Sequence, residues 1–354
     1  RDQRLRRDAD LPRRWVAAVS GGNRQSAIGN GELGFQTLPA SPLPIADSRL
    51  PSLALSTMWA QQQRFVGRFR DFVEIARDAG FQAIEVSHST DEAGLRECLS
   101  CDVLPVVSLH APTPLLHARG RANSDLNLAG CDDKERLAAV AAVRRTLDFA
   151  AGHGIGAIVV HLGSIDRGPL RQERRLRELY AAGAIESTEA AIVRTDAIAA
   201  RRAAAPAHLA AARQSLAEIV EYAAPRGVTI GVETRLNYFE IPSADEAVSL
   251  LRDYAPEEAG YWHDTGHAEI WSRLGFLPHR RWFDVLGDRL IGAHLHDVRD
   301  LRDHRAPGNG TLDWSMISAA LPQSAARTCE IDQHESEDSL AAAIDLLRSN
   351  GLGP

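Results

Sequence analysis

Six apolar runs in succession end on a residue that can hold a metal ion or move a proton. "VVSLH" ends at His110, "AIVVH" at His161 and "IGVE" at Glu233. "GYWHD" ends at Asp264 with His267 just beyond, "IGAHLH" carries His294 and His296, and "RTCE" ends at Glu330. Ionisable groups are costly to bury unless they are paired, hydrogen-bonded or bound to a cation. With 47 acidic residues and 13 histidines in 354, these types fill about one position in six, and they are rarer still inside apolar runs. Each has an ordinary explanation when taken alone. His110 and His161 suit hydrogen-bonded core positions, Asp264 suits a helix N-cap, Glu233 suits pairing with Arg235, and His296 and Asp297 suit the orientation of other ligands. Those explanations need a separate partner for every residue, whereas one cation serves all of them. Glu233, Asp264 and Glu330 converging at one place would repel each other unless a positive charge neutralised them. Three carboxylates with His294 form an oxygen and nitrogen set suited to Mn²⁺, Co²⁺ or Mg²⁺, and the further histidines tilt it toward Zn²⁺.

Something must bring these run ends together. The runs "SLALST", "AIEVSH", "LPVVSLH", "AIVVHLG", "VTIGVET", "AGYWHD", "LIGAHLHD" and "ARTCEID" read as strands. Between them lie helical patterns such as "VGRFRDFVEIARDAG", "DKERLAAVAAVRRTLDFAAGHG", "LAAARQSLAEIVEYAAPRG", "SADEAVSLLRDYA" and "EDSLAAAIDLLRSN". Several stop at glycine, and "SADE" has the form of a capping box. Strand and helix in alternation predict a parallel sheet with helical crossovers, and eight such units predict an α/β chain closed into a (β/α)8 TIM barrel. A doubly wound open sheet fits less well, because no GxGxxG opens a helix after the first strand. In a barrel the eight strand ends share one face, which is where chemistry is carried. We expect an irregular N-terminal extension over 1–48, the barrel over 49–354, and a helical insertion at about 165–205 that is either a solvated excursion or a cover for the barrel mouth. The turn-rich "APGNG" at 306–310 is expected to close over that mouth.

Composition narrows the chemistry further. The net charge of −7 provides no global positive field for nucleic acid or an anionic membrane. No apolar run is long enough to span a bilayer, and the arginine-rich start lacks the apolar stretch of a signal peptide, so a cytoplasmic protein is expected. Cys98, Cys101, Cys131 and Cys329 are too scattered for a disulfide framework, and Cys98 with Cys101 is a lone CxxC without a second pair. Lys134 is the single lysine and opens a helical pattern instead of ending a strand, which argues against Schiff-base chemistry.

The motifs "VSLHAP", "VVHLGS", "GVETRLNYFEIPS", "HDTGH", "GAHLHD", "DHRAPGNGTLDW" and "CEID" resemble the strand-end motifs of the xylose isomerase-like TIM barrels over roughly residues 50 to 350. That superfamily groups sugar isomerases and epimerases, inosose dehydratases and endonuclease IV. The epimerase branch implies one divalent metal on Glu233, Asp264, His294 and Glu330, with Glu233 and Glu330 as the acid and base. It also implies substrate contacts by His267 and, among the other polar residues of these motifs, His110, His161, His304, Arg235 and Asn237. The activity so implied is metal-dependent isomerisation or epimerisation of a sugar or polyol, in a chain free to form homo-oligomers. The alternatives are an inosose dehydratase-type lyase and an endonuclease IV-like phosphodiesterase. For the last, resemblance implies three zincs on His110, His161, Glu233, Asp264, His267, His294, His304, Glu330 and one aspartate, whose place here is taken by Arg302.

Overall fold

The Val-, Ile- and Leu-rich runs close into the eight-stranded parallel barrel that the alternation predicts. The computed structural model describes residues 52–118, 120–165 and 170–353, so the extension expected over 1–48 lies outside the described residues. The strands are β1 Leu53–Ser56, β2 Ala83–Val86, β3 Val106–Ala111, β4 Ala157–Val160, β5 Thr229–Glu233, β6 Ala259–Asp264, β7 Leu290–Leu295 and β8 Ala326–Cys329. Each pairs in parallel with its neighbours in sequence, and β1 pairs with β8 to complete the ring. Nearly every strand residue is buried, as expected of a parallel sheet covered by helices.

The covering helices are α1 Phe69–Ala79, α2 Glu92–Ser100, α3 Asp133–Gly152, α4 Leu170–Ala181, α5 Thr188–Ala223, α6 Ala244–Leu251, α7 Thr265–Arg273, α8 His279–Leu286, α9 Trp314–Ala320 and α10 Glu337–Ser349. Helix α1 shows the local logic. Phe69, Phe72, Val73 and Ala76 fall on one face and are buried, and Gly80 ends the helix with a left-handed backbone, φ 108°. Ser243 and Glu246 form the capping box at the start of α6. Lys134 sits exposed in the first turn of α3.

Register places the chemistry. Asp264 is directly paired with His294, and Thr328 with His294 from the other side, so these side chains leave adjacent strands toward the same face. Below them Trp262 fills the barrel interior, its ring centroid 5.6 Å from that of His294. The neighbouring strands make room with glycine. A Cβ at Gly292 would stand 2.3 Å from the indole Cζ3, and one at Gly231 would stand 2.8 Å from its Cε3.

The insertion differs from expectation in one respect. Helix α5 runs unbroken from the inserted segment into the barrel helix expected at 209–227, passing through Pro206. Proline removes one backbone hydrogen bond, but alanines flank it and Ala205, His208 and Ala212 are buried against the rest of the fold, which holds the helix together. The insertion is fastened down. Leu176 and Leu179 of α4 and Ala190 of α5 share an apolar cluster with Ile270, Leu274 and Val298. Arg201 of α5 makes a two-pronged pair with Glu246 at 2.5 and 2.7 Å and donates to the carbonyls of Tyr238 and Glu240. Cover for the loop after β5 is therefore built from both inserted helices.

Candidate active site

Four of the expected residues meet where β5, β6, β7 and β8 end. Glu233, Asp264 and His294 are fully buried and Glu330 is 2% exposed. Each offers a ligand atom within 4.8 Å of the others. Nδ1 of His294 is the hub, 3.1 Å from Oε2 of Glu330, 3.3 Å from Oε1 of Glu233 and 3.7 Å from Oδ2 of Asp264. The remaining histidines surround this group. Nε2 of His110 lies 3.0 Å and Nε2 of His161 2.7 Å from Oε2 of Glu233, and Nδ1 of His267 lies 3.4 Å from its Oε1. Nε2 of His304 lies 3.6 Å from Oε2 of Glu330.

Electrostatics follow from that crowding. Burial by itself favours neutral carboxyls, but the nearby His161 and His294, with a hydrogen bond from His110, hold Glu233 well below the usual range. Against the same burial, His267, His296 and His294 hold Asp264 well below its usual value, and His294 and His304 depress Glu330. Burial opposes charge on His294 too, yet Glu330, Glu85 and Glu233 hold it well above its ordinary value. His161 moves the other way, held down by burial and by Arg235. Three carboxylates around one imidazole nitrogen are the donor chemistry of a divalent cation, and the set of four residues fits one.

The environment of the other expected residues is specific. Arg235 reaches Glu233 with Nη1 at 3.8 Å while Nη2 pairs with Glu240 at 2.7 Å. The side-chain amide of Asn237 donates to Glu240, and its Oδ1 accepts from Arg177 of α4 at 3.3 Å. Asp297 does not orient a ligand. It accepts from the backbone of Gly308 and Leu312 and from the Trp314 indole, so 306–310 is tied to Asp297, and Asn309 further ties it to Glu335 at 2.6 Å. That loop is fastened in place, because its backbone donors needed a buried acceptor.

Three further residues of the site were not among the expected ones, although His88 ends the run "AIEVSH". Glu85 is in the middle of β2 and meets Nε2 of His294 at 2.8 Å; a carboxylate within "AIEV" was the available signal. His88 stacks edge-on with His110 and His161 at 4.7 and 5.4 Å between centroids, and burial with nearby His110 pushes its pKa to about 3. Asp303 stands next to the exposed Arg302 on the second strand of a hairpin, Asp297–Arg299 with Arg302–Arg305. Its acid faces the histidines, with Oδ2 3.7 Å from Nε2 of His267 and 3.3 Å from Nδ1 of His304. The left-handed backbones of Asp300 (φ 58°) and His304 (φ 53°) set that register, a conformation seldom adopted without glycine unless the surroundings enforce it.

Residues 73–350 match the family model described as xylose isomerase-like TIM barrel. Over 123 residues the chain is 30% identical to the uncharacterized protein y4fM of Sinorhizobium fredii, a match covering 32% of this chain and 36% of that protein's length. Among solved structures, an L-ribulose 3-epimerase superposes with a TM-score of 0.60 at 16% identity, covering 86% of this chain and 95% of that one. A D-allulose 3-epimerase from Methylomonas sp. gives 0.58 at 17% identity over 85% and 98%. A 3-keto-D-glucoside 4-epimerase from E. coli gives 0.54 at 16% identity over 84% and 99%.

Proposed function

From the premise that the chain belongs to the xylose isomerase-like TIM barrels, we propose that it is a divalent-metal-dependent isomerase or epimerase of a small sugar or polyol. The observation that carries this reading is the hub at His294, whose Nδ1 stands 3.3 Å from Glu233 and 3.1 Å from Glu330. Two buried carboxylates from β5 and from the end of β8 thus flank one ligand nitrogen. Solved neighbours titled as sugar epimerases support the reaction class.

Glu233, Asp264, His294 and Glu330 would hold the cation. Bound Mn²⁺, Co²⁺, Mg²⁺ or Zn²⁺ supplies Lewis acidity toward a substrate carbonyl and its neighbouring hydroxyl. Glu233 removes the proton from the adjacent carbon and Glu330 returns one, each step contributing on the order of 10²- to 10⁴-fold. His267, Arg235 and the imidazoles of His110, His161 and His304 contact substrate oxygens. Asn237, held by Glu240 and Arg177, links the insertion to this shell. The test is hydrogen exchange: purified chain with Mn²⁺ or Co²⁺ should exchange a carbon-bound hydrogen of a ketose or inosose with deuterated water. Absence of exchange from every ketose and inosose, with metal bound, would end this reading. Elimination of water from an inosose would assign the lyase chemistry instead.

A second reading has its own observation. Asp264, His267, His296 and His304 form another group with ligand atoms within 4.8 Å, and Asp303 adjoins it. Asp264 belongs to both groups, and cations held by them would supply the clustered metal chemistry that activates water for phosphodiester hydrolysis. Metal stoichiometry separates the two, because about one ion per chain supports the isomerase and two or three support the hydrolase. The acidic balance of the chain favours the sugar. The proposal places the enzyme in the cytoplasm. Cys98, Cys101, Cys131 and Cys329 are all free thiols, as in a reducing compartment, and no helix among the described residues is long and apolar enough to cross a membrane.

A further inference from the structure

Glu85 lies inside the barrel, fully buried, on the side of His294 that faces away from the other three ligands. Its Oε2 accepts from the hydroxyls of Ser108 at 2.6 Å and Thr328 at 3.2 Å, and its Oε1 meets Nε2 of His294 at 2.8 Å. Among the described residues no arginine or lysine pairs with it. A buried carboxylate with no cationic partner other than a histidine is an expensive way to fill a barrel, and Trp262 beside His294 shows that apolar groups fill this interior readily.

A carboxylate only accepts hydrogen bonds, so the imidazole nitrogen facing it carries the proton. In the neutral ring that leaves Nδ1 with its lone pair, aimed at Glu233, Asp264 and Glu330. We propose that Glu85 is the positioning residue that makes His294 a metal ligand through Nδ1: it fixes the tautomer and the ring plane by accepting from Nε2 on the far side of the ring. Ser108 and Thr328, from the neighbouring β3 and from β8, hold Glu85 in turn. The Trp262 indole lies edge-on to the ring, with 5.6 Å between centroids. This inference rests on the metal reading above.

The test begins with the unaltered full chain loaded with Zn²⁺, followed by nitrogen-detected NMR of the histidine side chains. His294, identified by its loss in His294→Asn, should show a protonated Nε2 and a metal-bound Nδ1. In Glu85→Gln the Nε2 proton should move upfield, and Mn²⁺ affinity measured by electron paramagnetic resonance should weaken by about 10- to 100-fold, the usual effect of losing a carboxylate behind a ligating histidine. Thr328→Val, which removes one of the donors to Glu85, should keep the tautomer and weaken Mn²⁺ only a few-fold, so the measurement survives if Glu85→Gln does not fold. A protonated Nδ1 in the zinc form, or Mn²⁺ affinity unchanged in Glu85→Gln, would overturn the inference while leaving the metal site standing. Failure of the unaltered chain to take up either ion would overturn both.

Discussion

Nε2 of His296 stands 2.9 Å from Oδ1 and 3.0 Å from Oδ2 of Asp264, while its Nδ1 accepts the backbone N–H of His304. That backbone bond leaves the proton on Nε2, so His296 donates to Asp264 and would have to give up that proton to ligate in the second reading. Asp264 accepts from the His267 backbone at 2.7 Å as well, capping α7. One carboxylate therefore starts a helix, receives an imidazole and faces the candidate cation.

The glycine of "HDTGH" is what lets His296 approach. A Cβ at Gly266 would lie 2.1 Å from Cε1 and 2.5 Å from Nδ1 of that ring. Alanine in a helix normally gains about 1 kcal/mol over glycine, whereas overpacking costs about 1 to 3 kcal/mol. Gly266→Ala should therefore lower the melting temperature and weaken metal binding together. A more stable variant with unchanged metal affinity would show that His296 is free to move aside.

Asp264→Asn separates the two duties of that residue. Asparagine is as good an N-cap as aspartate, so the helix should stay intact by circular dichroism. Metal affinity should fall at least about tenfold, the lower end of what even an outer-shell loss costs. Unchanged occupancy would remove Asp264 from the ligand set.

Glu330→Gln keeps an oxygen that can ligate but does not readily carry a proton. Bound metal should persist while deuterium exchange into a ketose falls by at least about a hundredfold. Equal exchange in the variant and the parent would leave Glu330 a ligand only.

The pH dependence follows from the signs of the shifts. His294 is held above its ordinary value, so it stabilises the metal-free fold fully below its unfolded pKa of about 6.5, and this contribution is lost as pH rises through the raised folded value. Glu233 and Asp264 are held below theirs, so their contribution is present above about pH 4 and lost as pH falls. Cation binding needs the unprotonated Nδ1. Melting curves from about pH 5.5 to 8.5 should show the metal-free chain weakening toward high pH and the gain from added Mn²⁺ growing over the same range. A gain independent of pH would mean that His294 does not ligate.

Strand identity was plain in the sequence, because a buried parallel strand must be a short apolar run and little else is. The same pattern exposed His110, His161, Glu233, Asp264, His294 and Glu330, since a charged or imidazole group at the end of such a run stands out against its neighbours. What could not be read was which of these side chains face each other. Glu85 and His294 are 209 positions apart, and only closure of β1 on β8 with a fixed register brings β2 across from β7. The approach of Asp303 to His267 and His304 depends on the left-handed turn of one hairpin, and the helix through Pro206 on burial that outweighs a lost hydrogen bond. Those outcomes are set by contacts between distant segments. Local propensity and periodicity carry no information about them, which is why the sequence determined the barrel and its ring of strand-end residues while the tertiary structure decided each side chain's partner.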